Sequence, residues 1–145
     1  MSPVLAFAAL AALLVLATVV GLALRGREGR RRDGGGLRFD PADAEGAALG
    51  ATATLVQFST ETCARCPQVR RLLGSYASVD AGLAHLEIDL THRPDLSARY
   101  RVLQTPTTFV LDATGCVRAR FAGIPARESL THALAAVRDP AWSRS

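Results

Sequence analysis

The sequence predicts a domain of the α/β class, in which helices flank a central mixed β-sheet, preceded by one N-terminal transmembrane helix. Two observations predict this arrangement. An uncharged apolar stretch occupies residues 3–24, and from residue 54 onward short apolar strand patterns alternate with amphipathic helix patterns. The order strand–helix–strand–helix–strand–strand–helix gives one parallel pair through the first crossover and one antiparallel hairpin at the end.

The N-terminal stretch, residues 3–24, contains no charged residue. As a helix it would span roughly 33 Å, enough to cross a hydrocarbon core of about 30 Å. A transmembrane anchor fits better than two alternatives. A cleaved signal peptide would carry a basic region before the apolar run and an A-x-A site after it. A buried core helix would not be uncharged on every face over this length.

The net charge of +4 is concentrated in one segment. Residues 25–38 contain six arginines against two acids, and the charges of the remainder balance, so there is no case for a nucleic-acid-binding domain. Every basic residue is arginine, which excludes lysine-based catalysis. Arginine-rich flanks of a membrane span stay cytoplasmic, so segment 25–32 predicts a cytoplasmic soluble domain, with an extracytoplasmic one as the alternative.

Composition and pattern together divide the chain into four segments. They are a signal-anchor helix (1–24), a basic linker rich in Gly and Arg (25–46), a folded domain (47–139) and a tail (140–145). Within the linker, the sequence DGGG predicts a flexible hinge.

The first half of the folded domain shows the two periodicities clearly. A strand, 54–59, is an apolar run that ends in a polar loop. In the helix that follows, 64–78, Val69 and Leu73 lie on one face. The next strand, 84–89, alternates polar with apolar residues.

The second half continues with a short helix and a hairpin. Helix 94–100 begins at a proline with an aspartate in its first turn. Strands 107–111 and 116–121 flank the turn 112–115, whose sequence Asp-Ala-Thr-Gly is typical of a hairpin. The last helix, 126–138, has apolar residues at helical spacing.

Two cysteines, Cys63 and Cys66, lie where the first strand gives way to a helix, and this placement is typical of a redox pair. The thiolate is the nucleophile in disulfide exchange, and the N–H groups and dipole of a helix start favour negative charge. We therefore expect Cys63 to attack and Cys66 to resolve the mixed disulfide. Arg65 adds a positive charge that we expect to stabilise the thiolate. Pro67 fits a first helical turn and indicates a helix start near Cys63.

The same pair permits two other interpretations, half of a zinc site or an inert pair. A closed zinc site needs four ligands, and no second C-x-x-C or paired histidines follow at suitable spacing, so no metal is expected. Cys116 fits a passive half-buried residue better than a third redox group. The three histidines, which we expect to be surface or strand residues, are His85, His92 and His132.

A second motif, Thr105-Pro106-Thr107, follows about 40 residues after Cys66. With both motifs, the chain from about residue 49 to 139 resembles the thioredoxin-like superfamily. In that superfamily this proline is in cis and faces the disulfide. The resemblance implies that Thr105 and Pro106 position the substrate, which can pair with the backbone as an added strand. It also implies protein thiols or disulfides and an unidentified electron donor as partners, with no organic cofactor, and we expect a monomer.

Several positions depart from the superfamily pattern. Gln57 lies where thioredoxins keep a buried acid that moves protons for the resolving cysteine, and glutamine cannot ionise. Thr62 replaces the tryptophan usual before the first cysteine, and Ser59 replaces a second aromatic residue. The only tryptophan is Trp142, in the tail. These changes leave the dithiol pair intact and predict a narrower set of clients.

The sequence therefore predicts a membrane-tethered thiol–disulfide oxidoreductase of the protein disulfide reductase type, with a role in cell redox homeostasis. Two alternatives stay open: a non-catalytic thioredoxin-fold binding module, and an extracytoplasmic thiol reductant in the maturation of cytochromes or envelope proteins. The lost acid and aromatic residues favour the module, and the intact cysteines favour the enzyme. Arginine-only basicity with abundant Ala and Gly indicates a GC-rich bacterial genome.

Overall fold

The computed structural model describes residues 2–139, so the predicted tail 140–145 with Trp142 lies outside the described residues. The helices and strands, in chain order, are α1 (Pro3–Arg25), β1 (Arg31–Asp33), β2 (Ala53–Ser59), α2 (Cys66–Ser78), β3 (Leu83–Asp89), α3 (Pro94–Arg99), β4 (Thr107–Asp112), β5 (Val117–Ala122) and α4 (Arg127–Arg138). Every helix and strand predicted from the sequence is present, with ends that differ by three residues or fewer. Strand β1 is an addition to the predicted set.

The five strands form one mixed sheet in the order β1-β5-β4-β2-β3. β2 pairs parallel with β3 and antiparallel with β4, while β5 pairs antiparallel with both β4 and β1. The predicted mixed sheet, with its parallel pair and its final hairpin, is thereby confirmed. The cysteine motif follows the carboxyl end of β2, so it lies at one end of an inner strand.

β2 is buried along its whole length because helices cover both faces of the sheet. Successive side chains of a strand point to opposite faces. Leu55 accordingly packs with Val69 of α2 and with residues of α4, whereas Phe58 packs on the other face with Leu96 of α3. Gln57 follows Leu55 on the face covered by α2, and this places its side chain beneath the cysteine motif.

The segment 25–46, predicted as a free linker, is instead tied into the folded domain. β1 extends the sheet beside β5, and the N–H of Gly29 donates to the carbonyl of Ala122 at 2.6 Å. A Cβ at Gly29 would lie 2.5 Å from the carbonyl oxygen of Ile124, and its φ of +70° also favours glycine. Phe39 is only 2% exposed and joins the core. The prediction of a linker was wrong because contacts with β5 and the core, remote in sequence, hold this segment.

Helix α1 is, among residues 2–139, the one helix long and apolar enough to cross a membrane. None of its residues is buried against the domain. Apart from Arg25 at its last residue, its one polar side chain is Thr18, which donates its hydroxyl hydrogen to the carbonyl of Leu14 at 2.7 Å. Within the apolar part of α1 the backbone groups are paired along the helix and the one hydroxyl is hydrogen-bonded to it, as a membrane environment requires.

Candidate active site

Cys63 and Cys66 are joined as a disulfide in the turn between β2 and α2. The N–H of Cys63 donates to the carbonyl of Thr60 at 3.1 Å, and the N–H of Cys66 donates to the carbonyl of Cys63 at 3.3 Å. Helix α2 therefore begins at Cys66, with Arg65 at its N-cap and Pro67 in its first turn. The predicted start near Cys63 was early by about one turn because this turn precedes the helix.

The two cysteines differ in how exposed they are to solvent. Cys66 is 2% exposed, whereas Cys63 is half-buried and lines an open cleft of about 420 Å³. Thr105 and Pro106 line the same cleft, and the peptide bond between them is cis, as the resemblance implies. The structure thus brings together four of the five predicted site residues, including Arg65, on one surface of the cleft.

The backbone of Thr105 is open to a substrate. Within residues 2–139 no hydrogen bond engages its N–H or its carbonyl, although its hydroxyl lies 3.3 Å from that of Thr60. The next carbonyl along the chain, that of Pro106, already accepts from the N–H of Gly123 at 2.8 Å. An extended peptide could therefore pair with Thr105 beside the disulfide.

The guanidinium of Arg65 pairs with a carboxylate that the sequence analysis missed. Its Nη1 lies 2.9 Å from Oε2 of Glu28, and the two side chains are 54% and 45% exposed. Glu28 belongs to the segment that follows α1, and β1 holds that segment beside the cleft. No local sequence signal pairs two residues that stand 37 positions apart.

Gln57 connects the sheet directly to the resolving cysteine. The residue is fully buried, and its Nε2 donates to the carbonyl of Cys66 at 2.9 Å. Its Oε1 and the hydroxyl of its cross-strand neighbour Thr108 have no hydrogen-bond partner among the described residues. Gln57 therefore fixes the start of α2, and it offers no ionisable group for the proton of Cys66.

A second ion pair lies on the Cys66 side of the motif. Arg70 of α2 donates from Nε and Nη2 to the two carboxylate oxygens of Glu87, at 2.5 and 2.6 Å, and Ser59 donates to the same carboxylate at 2.9 Å. The hydrogen bond from Arg70 is the main cause that lowers the pKa of Glu87. Sequence analysis had treated Glu87 only as an alternating strand residue.

The remaining candidates lie away from the cleft. Cys116 is half-buried at the opposite end of the sheet, where its Sγ contacts Thr114 and Arg38. His85 lies on β3, where burial is the main cause that lowers its pKa. Among residues 2–139 no three side chains of His, Cys, Asp or Glu cluster in a way that could hold a metal.

Comparison with known proteins identifies the fold. No protein-family sequence model matches the chain, and a search of curated protein sequences finds no match. Among solved structures, the long form of thioredoxin f from spinach chloroplast is 19% identical, with a TM-score of 0.55 over 62% of this chain and 74% of that one. Its short form gives 0.54 at 19% identity, over 62% of this chain and 80% of that one. A chloroplastic thioredoxin z gives 0.52 at 24% identity, over 60% of this chain and 79% of that one.

These likenesses show that residues around the disulfide adopt the thioredoxin fold. The predicted fold class is therefore confirmed, together with a candidate membrane span before the domain. A thioredoxin fold that carries a bonded C-x-x-C pair supports a thiol redox role in general terms.

Proposed function

We propose that this chain, with its thioredoxin fold, is a membrane-tethered thiol–disulfide oxidoreductase that reduces disulfides in client proteins. One observation carries the proposal. The disulfide lies in an open cleft, with the half-buried Cys63 toward solvent and the buried Cys66 behind it, opposite the free backbone of Thr105. A disulfide that served only structure would have no need of an open cleft with an unpaired backbone segment beside it.

The reaction starts from the dithiol form. The thiolate of Cys63 attacks one sulfur of a client disulfide, which forms a mixed disulfide and releases the first client thiolate. The thiolate of Cys66 then attacks Cys63 in the mixed disulfide, which restores the Cys63–Cys66 bond and releases the second client thiolate. Two electrons pass from the dithiol to the client, and an electron donor returns two in the next cycle.

The surrounding residues supply position and charge rather than chemistry of their own. Thr105 and Pro106 align the client chain beside Cys63, and the helix start behind Cys66 favours developing negative charge at the sulfurs. Because Gln57 cannot ionise, the proton of Cys66 passes to the departing client thiolate or to water. Arg65 stabilises the Cys63 thiolate only to the extent that Glu28 leaves the positive charge of Arg65 uncompensated.

The equilibrium reduction potential of the Cys63–Cys66 pair tests the proposed direction, measured on the full chain in detergent against glutathione. A value near or below about −270 mV supports a reductase, whereas one near about −120 mV would indicate an oxidant. Failure of the two cysteines to form a disulfide reversibly would favour the non-catalytic binding module.

The side of the membrane needs its own measurement. We propose a cytoplasmic domain because the arginine-rich segment follows the span, as such segments do on the cytoplasmic side. Protease access in intact cells, compared with opened cells, tests this placement. Cleavage of the domain in intact cells would favour the extracytoplasmic reductant.

A further inference from the structure

A second groove, of about 640 Å³, lies between the last turn of α1 and the loop that precedes Pro106. We call it the arginine groove; its walls include Leu24, Arg27, Arg101, Leu103 and Arg120. It adjoins the redox cleft, because Glu28 and Gln104 line both. Nothing in the proposed reaction uses this groove.

We propose that the arginine groove binds the anionic head groups of the membrane surface and so holds the redox cleft beside the bilayer. This inference rests on the membrane tether of the proposed function and adds to it an orientation and a class of client. Three observations carry it: the position of Leu24, the charge of the groove and the exposure of Leu103.

Because the groove includes the end of α1, its position relative to the membrane follows from that of the helix. Leu24 belongs to the apolar helix α1, whose length matches a bilayer core. Once α1 spans the membrane, Leu24 lies at its border, and side chains that share a groove with it lie at the level of the head groups. Arg27 follows within the same segment, and its N–H still donates to the carbonyl of Leu24 at 3.1 Å, so the chain remains wound there.

The charge of the groove suits lipid phosphates. The guanidinium groups of Arg27, Arg32 and Arg101 form no hydrogen bond or ion pair with residues 2–139. Arg120 is held in place by carbonyls of the loop, and burial, together with Arg101 and Arg32, lowers its pKa. The only acid in the groove besides Glu28 is Asp33, so positive charge dominates.

Leu103 supplies an apolar contact at the rim of the groove. It is 96% exposed, more than any other large apolar side chain among the described residues. A single exposed leucine is ordinary on a protein surface. Beside Leu24 and a ring of arginines, however, it has the amphipathic pattern of a segment that lies in a membrane interface. An acidic protein segment could also pair with the arginines. It would not account for the place of Leu24, at the end of the membrane helix, in the same groove.

The orientation restricts which clients the disulfide can reach. Glu28 stands three residues beyond the end of α1, which is on the order of 10 Å of chain even when fully extended. Because Glu28 pairs with Arg65 inside the redox motif, Cys63 lies close to the membrane surface. Suitable clients are therefore cysteines near the membrane boundary of other membrane proteins.

Tryptophan fluorescence in vesicles tests the contact directly. The full chain with Trp142→Phe and Leu103→Trp is reconstituted in vesicles of phosphatidylcholine, with or without phosphatidylglycerol, whose acyl chains carry bromine as a quencher. We expect a shift to shorter wavelength and loss of emission in the anionic vesicles. The matched control is Val79→Trp, at a residue that is 85% exposed at the far end of α2, and it should stay unquenched.

Replacing Arg27 and Arg101 by glutamine in the Leu103→Trp chain should reduce quenching in anionic vesicles to the level of neutral ones. Equal quenching at both tryptophan positions, no quenching in anionic vesicles, or failure of the chain to float with vesicles would each overturn the proposal. A change in the emission of Leu103→Trp on addition of an acidic peptide, with no quenching by the brominated anionic vesicles, would assign the groove to a protein instead. Insulin reduction by the unaltered chain in detergent tests the proposed function separately.

Discussion

The two cysteines of the motif are bonded to each other, yet their surroundings are opposite. Cys63 lines an open cleft, while Cys66 is 2% exposed, begins α2 and is held by the amide of Gln57. Thiol–disulfide exchange requires a first sulfur that a client can reach and a second that needs to reach only the first. The difference in exposure therefore supports the proposed roles, with the accessible Cys63 as the attacking thiol and the buried Cys66 as the resolving thiol.

The ion pairs beside the two cysteines show the same contrast. On the Cys63 side, Arg65 and Glu28 meet through one contact and both remain about half exposed. On the Cys66 side, the Arg70 side chain is 55% exposed and that of Glu87 25%, and Glu87 accepts two bonds from Arg70 and one from Ser59. The first pair is thus a single exposed contact that solvent screens, whereas the second links α2 to β3 through two hydrogen bonds.

The largest expected effect comes from removing each sulfur separately. Cys63→Ser should lower insulin reduction by at least about 1,000-fold, because it removes the nucleophile. Cys66→Ser should retain the attack and accumulate a mixed disulfide, visible as an adduct on non-reducing gels. Cys116→Ser is the control and should behave as the unaltered chain. Equal adduct formation by both active-site variants would contradict the separation of roles.

Placing a carboxyl at the buried position behind Cys66 should destabilise the fold in a pH-dependent manner. In Gln57→Asp, burial should raise the pKa of the new carboxyl, and a rise of roughly two units costs about 3 kcal/mol at pH 7. With a raised folded pKa, stability is complete below about pH 4 and falls as pH rises through the folded value.

Urea unfolding of Gln57→Asp at pH 4 and pH 8 measures this loss, with Gln57→Glu as a second acidic variant. An equal loss in the free energy of unfolding at both pH values would mean that the new carboxyl stays solvated. The buried environment assigned to Cys66 would then be wrong.

The Glu87 pair should contribute stability that depends on pH in the opposite direction. Glu87→Gln should cost at most about 1 kcal/mol near neutral pH, since it removes a bidentate pair that solvent partly screens. The lowered pKa of Glu87 means that its contribution is present above the unfolded value of about 4.3 and is lost as pH falls through the folded value.

Urea unfolding at pH 7 and at pH 3 checks the contribution of Glu87. Asp95→Asn is a matched control, because it removes an ion pair with Arg93 whose two members are both largely exposed. A cost for Glu87→Gln that persists at pH 3 would show that shape, rather than charge, matters at this site.

The smallest effect should appear at the exposed pair. Glu28→Gln frees Arg65 and should raise the rate at which iodoacetamide alkylates reduced Cys63 by about two-fold at low salt. At about 1 M salt, where the Debye length is about 3 Å, the difference should disappear. Arg65→Gln should slow the reaction by a similar factor. A salt-independent change would point to altered geometry instead of charge.

Local patterns predicted most of the fold but little of what surrounds the motif. Runs and spacings of apolar residues identified β2, α2 and β4, because the residues that each element buries form a pattern within its own sequence. β1 could not be found this way, since its sequence Arg-Arg-Asp has no apolar alternation. Its place depends on Gly29 and Gly34, at which a Cβ would meet the carbonyls of Ile124 and Val117 at 2.5 and 1.6 Å.

The same limit applies to the candidate site. The two cysteines, Thr105 and Pro106 were found from their motifs. The contribution of Glu28 and the bond from Gln57 to the Cys66 carbonyl depend on pairs that only the folded chain brings together. Arg65 lines the cleft with Cys63, and its predicted effect on the thiolate could not be judged from the sequence because its partner Glu28 was unknown.

The position of β1 has a practical consequence for work with a soluble domain. β1 covers the outer edge of β5, and Phe39 fills the core beside Tyr100, with ring centroids 5.4 Å apart. Cutting the chain at residue 47, the boundary that composition indicates, would expose the backbone of β5 as an unpaired edge, and such edges promote self-association. A fragment that starts at residue 26 keeps the edge covered, so the two fragments should differ in aggregation when compared by light scattering.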